Sequence, residues 1–180
     1  PQTGTVTTSI YQPNTYIRFE HLSLEEGLSQ SVVNVILQDH LGFLWIGTED
    51  GLNRYDGYNF KVYKPDAENP DSLSDGWITS LVEDPYGYIW IGTHLGGLNR
   101  YDPSTGQFTH YLHDDRDSQT IRNNKISALL PDKNGLWIGT EFGLDFYEYT
   151  TGIFTHYRTS DDPDNSLSSN SITAIFKDSN

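Results

Sequence analysis

Neither cysteine nor methionine occurs anywhere in the 180 residues. The first absence removes disulfide frameworks and thiolate metal sites. The second means that no initiator is in view, so "PQTGTVTTSIYQPNTY" fits a mature end left by signal-peptide removal, or an engineered boundary. Positive charge is scarce: 11 Lys and Arg stand against 25 Asp and Glu, a net charge of −14. Phosphate backbones and anionic lipid both need clustered cations, so nucleic acid is not an expected partner and neither is a membrane surface. No apolar run approaches the ~18 residues of a membrane span, and no long segment shows the 3.6-residue apolar period of a helix. Aromatic residues, at 13%, are too abundant for a disordered acidic tail. What remains is a folded, acidic chain rich in strand signals.

Those signals repeat. "GFLWIGTEDGLNRYDGYNFKVY" (42–63), "GYIWIGTHLGGLNRYDPSTGQFTHY" (87–111) and "GLWIGTEFGLDFYEYTTGIFTHY" (135–157) align almost letter for letter. Trp45, Trp90 and Trp137 lie 45 and 47 residues apart. A period in the forties made only of strand signals predicts the four-stranded antiparallel blades of a β-propeller. An apolar first strand (from Val32, Ile78, Ile126 and Ile172) precedes a turn opening on Asp39, Asp84 or Asp132 and closing on Gly42, Gly87 or Gly135. Asp accepts backbone hydrogen bonds in such turns, and Gly can take a positive φ. The second strand carries Trp-Ile-Gly-Thr, the third "GLNRYD" or "GLDFYE", and the fourth "FKVY" or "FTHY".

The expected layout is an extended leader (1–16) followed by a partial propeller (17–180). The propeller comprises an outer strand (17–22), blade 1 (31–64), blade 2 (77–112), blade 3 (125–158) and the first strand of a fourth blade (171–180). Three complete blades flanked by an outer and an inner strand do not close a ring. Such a chain is expected to be a fragment of a longer array, or to join other copies through unpaired blade edges. Trp45, Trp90 and Trp137 are expected to fill the space between blades. Gly47, Gly92 and Gly139 would remove side chains where a neighbouring blade comes close.

The recurring Ser-Leu-Ser, Asp-x-x-Gly, Trp-Ile-Gly-Thr and Gly-Leu-Asn-Arg-Tyr-Asp phrases resemble the two-component regulator propeller repeat. The resemblance is carried by residues 27–60, 69–102 and 164–180. The third unit departs at "GLDFYE" and has a turn one residue shorter before Trp137. The resemblance implies a periplasmic or extracellular sensor region, built in the family from two seven-bladed propellers. A membrane span with cytoplasmic kinase and regulator modules follows in such proteins, and glycan fragments are the usual ligands where the family senses sugars.

The tips joining second to third strands differ while their flanks stay constant, so the frame does not dictate them. Glu49, Asp50, His94, Leu95, Glu141 and Phe142 are therefore the candidate contacts for a ligand or partner. The acidic run Asp161, Asp162, Asp164 and Asn165 lacks the ligand spacing of a calcium loop. His110 and His156 occupy a strand position that accepts Val62 in the first unit, so packing, not zinc, is their expected role. No catalytic grouping is evident; a propeller lyase or hydrolase would need His94 and Glu141 to converge. No metal or cofactor is expected. The leading expectation is a non-catalytic sensor or interaction propeller segment, with a structural protein assembled blade edge to blade edge as the alternative.

Overall fold

The computed structural model describes residues 21–161 and 166–178. The leader and residues 17–20 of the expected outer strand lie outside the described residues, and His21 and Leu22 belong to no strand. Among the described residues, twelve strands form three antiparallel sheets of four, each in simple sequence order. Blade 1 holds β1 (Val33–Gln38), β2 (Leu44–Thr48), β3 (Gly51–Tyr55) and β4 (Phe60–Tyr63). Blade 2 holds β5 (Ile78–Glu83), β6 (Ile89–Thr93), β7 (Leu98–Asp102) and β8 (Gln107–Tyr111). Blade 3 holds β9 (Ile126–Pro131), β10 (Gly135–Thr140), β11 (Gly143–Glu148) and β12 (Phe154–Tyr157). The register shifts by one residue at the same place in all three first strands, at Val33/Val35, Ile78/Ser80 and opposite Gly139/Thr140. A bulge there raises the local twist that each blade needs.

First strands pack on one another, β1 on β5 and β5 on β9, as the inner strands of propeller blades do. The glycine of Trp-Ile-Gly-Thr makes the approach feasible. A Cβ on Gly47 would lie 2.6 Å from Ile78 Cγ2, one on Gly92 2.7 Å from Ile126 Cγ2, and one on Gly139 2.7 Å from Ile172 Cγ2. Each first strand also sends a donor across the seam. Asn34 Nδ2 bonds Ile78 O (3.0 Å), Thr79 Oγ1 bonds Ile126 O (2.7 Å), and Ser127 Oγ bonds Ile172 O. Ile172 thus stands where a fourth blade's first strand would begin, with Lys177 reaching Asp132 Oδ1 at 2.8 Å. Residues 171–178 nevertheless form no ladder, because no described strand lies alongside to pair with them. At the other end, Val33 and Ile36 of β1 are exposed, because no described blade covers the face that β1 covers on β5.

The Trp rings plug the seams. Trp45 and Trp90 are each 1% exposed. Trp45 meets Tyr63 of its own blade (5.9 Å between centroids) and Tyr101 of the next (5.2 Å). Trp90 repeats this with Tyr111 and Tyr147, both at 5.4 Å. Hydroxyl pairs bridge the same seams, Tyr63 to Tyr101 at 3.0 Å and Tyr111 to Tyr147 at 3.3 Å. Trp137 is only partly buried: Phe146 and Tyr157 of its own sheet contact it, and no described blade supplies a tyrosine from beyond.

The turn aspartates do more than close turns. Asp39 Oδ1 accepts from the Leu41 and Phe43 amides while Oδ2 accepts from the Trp45 indole at 2.8 Å. Asp84 does the same for Tyr86, Tyr88 and Trp90. Gly42 and Gly87 take φ values of 92° and 84°, as the turn requires. The shorter third turn differs: Gly135 has no positive φ and opens β10. It occupies the place of Phe43 and Tyr88, on which Arg54 and Arg100 lie at 4.6 Å. In blade 3 the ring comes instead from Phe146, which replaces the arginine and fills the space over Gly135. The departure at "GLDFYE" is therefore compensated: the ring moves to the third strand, and the cation is lost.

Candidate functional site

Antiparallel order brings the β2–β3, β6–β7 and β10–β11 tips to one end, beside the loops that lead into the next blade. Loop tips on a rigid frame are free to vary without disturbing the core. Each tip is tied to its surroundings. Gly51 N bonds Gly76 O, Gly97 N bonds Asn124 O, and Ile172 N bonds Thr140 O, so every tip is stitched to the segment leading onward.

The sequence-predicted residues share this face but do not form one cluster. Glu49 is exposed, with no side-chain partner among the described residues. Asp50 pairs with Lys64 at 2.6 Å. His94 stacks on Trp77 at 4.3 Å, a half-exposed ring in the segment before β5. Leu95 stays exposed, and its amide is held by Asp75 Oδ2 at 2.8 Å. Glu141 pairs with Lys125. Phe142 projects into solvent at 62% exposure. His94 and Glu141 are thus engaged by different neighbours and make no bond with each other. Asp162, Asp164 and Asn165 lie outside the described residues.

Of the six, Phe142 borders a cavity. A half-open space of about 360 Å³ lies between the third tip and the loops on either side of blade 3, lined by His113, Asp115, Arg122, Asn123, Phe142 and Arg158. Residue-by-residue reading missed its other members because they lie in the blade-joining loops, where Ser29 and Ser74 of sister units hold the place of Arg122. In those units a serine–asparagine clip fixes the loop: Asn53 Oδ1 accepts from Ser29 N (2.9 Å) and Asn99 Oδ1 from Ser74 N (3.0 Å). Blade 3 keeps the backbone bond with Asp145, whose Oδ2 accepts from Arg122 N at 2.8 Å. Asp145 is fully buried, and its other oxygen meets His156 Nδ1 at 2.7 Å. His156 Nε2 donates to Ser118 O, and His110 likewise reaches Ser72 O, so both histidines pin loops to strands.

A second cavity, of about 270 Å³, opens at the opposite end between blades 2 and 3, among Tyr86, Tyr88, Trp90, Arg100, Tyr147 and Tyr149. Its walls are the seam itself: Arg100 lies on Tyr88 and Trp90. Burial pushes the Tyr149 hydroxyl up, away from ionisation. This cavity belongs to the packing between blades.

Three segments, residues 27–50, 72–94 and 120–142, match the family described as two component regulator propeller. Each covers the first two strands of one blade. The extracellular domain of a hybrid two component system from B. thetaiotaomicron superposes with a TM-score of 0.78 at 34% identity, over 84% of this chain and 21% of that one. The extracellular domain of a one component system from the same organism gives 0.67 at 26% identity, over 90% and 24%. A 66-residue stretch is 44% identical to histidine kinase P4 of Formosa agariphila, covering 37% of this chain and 5% of the kinase. The chain therefore spans under a quarter of either solved relative and a twentieth of the kinase. One segment in each blade thus matches the two component regulator propeller model, and the fold is that of the extracellular domains of these signal-transduction relatives.

Proposed function

We propose that the chain is the ligand-reading part of a longer signal-transduction protein, and that it reads a glycan or other small ligand without acting on it chemically. The observation that carries this is the contrast between a frame repeated blade for blade and a tip face that changes in every blade, with the blade 3 cavity at its edge. An exposed aromatic ring beside polar and charged side chains suits a small polar ligand. A thermal-shift screen of the 180-residue chain against a glycan collection tests the reading. At least one glycan should raise the melting temperature in a concentration-dependent way. A collection that leaves it unmoved throughout contradicts glycan sensing.

A second reading, assembly of copies through blade faces, draws on the uncovered β1 surface around Val33 and Ile36. Sedimentation separates the two: a mass that grows with concentration supports assembly, and a constant monomer mass opposes it.

A further inference from the structure

We infer that the cavity over blade 3 binds an oxyanion group, a carboxylate or sulfate, on a small ring-shaped ligand. The inference rests on the sensing reading and names the chemistry that reading leaves open.

Two departures of blade 3 from its sister units create the site. At the first, the frame places serine (Ser29, Ser74), whose hydroxyl accepts from the clip asparagine. Blade 3 places Arg122 there. Asp145 retains the backbone bond that the loop needs, so the guanidinium is not required to hold the loop. Arg122 Nε is buried and makes no hydrogen bond. Burial of Nε fixes the inner end of the guanidinium, so an oxyanion arriving in the cavity would be met by the outer nitrogens.

The second departure concerns the cation after the fourth strand. In blade 1 Lys64 follows Tyr63, and the tip carboxylate of Asp50 neutralises it at 2.6 Å. In blade 3 Arg158 follows Tyr157, but the residue equivalent to Asp50 is Phe142. The carboxylate has been exchanged for an exposed ring, and Arg158 has no ion-pair partner among the described residues. Both arginines line the same 360 Å³ space as Phe142. Two of the chain's 11 basic residues thus converge, without an ion-pair partner among the described residues, in a molecule of net charge −14. Asp115 is the acidic member of the lining, and His113 Nε2 engages it at 2.9 Å. Phe142 offers its face to the body of a ligand whose charged group the arginines hold. Arginine suits this task because its planar fork matches the spacing of carboxylate and sulfate oxygens.

The test is amide NMR of the 180-residue chain titrated with D-galacturonate, galactose 6-sulfate and D-galactose at equal concentration and ionic strength. At least one acidic sugar should shift residues around Arg122, Phe142 and Arg158, with neutral galactose shifting them at least tenfold less. Which acidic sugar acts distinguishes carboxylate from sulfate. Arg122→Ser returns the frame residue, and Phe142→Asp gives Arg158 the tip carboxylate that Lys64 has. Both variants should keep the parent melting temperature and lose the response. Equal shifts with galactose overturn oxyanion recognition while leaving ligand sensing intact. An acidic-sugar response unchanged in Arg122→Ser, or one confined to other residues, overturns the assignment of the site.

Discussion

The seams flanking blade 2 and the outer side of blade 3 use the same phrase, Trp-Ile-Gly-Thr, with different results. Trp45 and Trp90 are closed over by a tyrosine from the following blade, and Trp137 is not. The identical letters therefore fix the socket, and the neighbouring blade completes it. The same contrast runs along the tip end. Blades 1 and 2 clip their loops with serine and asparagine, whereas blade 3 substitutes arginine and aspartate while keeping the clip's backbone bond. Repetition marks what packing requires, and a compensated departure marks a position released from it.

Mutation sharpens the first half of that contrast. Trp90→Ala should cost about 3–5 kcal/mol in urea unfolding, since it empties a sealed aromatic socket. Trp137→Ala, half open to water, should cost about 1–2 kcal/mol. Equal losses would show that the following blade adds nothing to the socket. Gly92→Ala should cost about 1–3 kcal/mol, because a Cβ would press on Ile126 at 2.7 Å and on Ser80. A neutral result would mean that the blades can slide apart.

Titration tests the hydroxyl pairs that cross the same seams. Burial, helped by the Tyr101 hydroxyl, pushes Tyr63 up; burial and the Tyr147 hydroxyl do the same for Tyr111. The folded state therefore keeps protons that the unfolded chain releases near the ordinary tyrosine value of 10.0. Stability is full below that value and falls as pH rises above it, by up to about 1.4 kcal/mol per pH unit for each such tyrosine. Replacing both Tyr63 and Tyr111 with Phe should flatten the alkaline decline in chemical denaturation, and an unchanged slope would place its origin elsewhere. The smallest effect belongs to the tip. Glu49→Ala should change stability by no more than about 0.5 kcal/mol, and a larger loss would give that tip a structural role.

The blades and their strand order were legible because Trp and Gly recur at one period, wherever a neighbouring blade must be met. Side-chain contacts within a repeat were harder to see. Nothing local in "DHLGFLW" announces that Asp39 bonds the Trp45 indole, or that Arg54 stacks on Phe43. The exposure of β1 was hidden for a related reason: an apolar strand has the same letters whether or not a blade covers it. At the tip face, variability pointed to Phe142, but Arg122 and Arg158 become its neighbours only when the loops on either side of blade 3 fold toward the tip. The exchange between Gly135 and Phe146 was visible only as a weakened unit, since compensation between strands needs the register to be known.

The most direct test of the division between packing seams and a reading face is to map any ligand found by screening through hydrogen exchange. Protection concentrated at residues 122–124, 141–143 and 158, with the other end of the blades unchanged, is the predicted result. Protection centred instead on Tyr86, Tyr88 and Tyr149 would contradict it, because the seam cavity would then be the site.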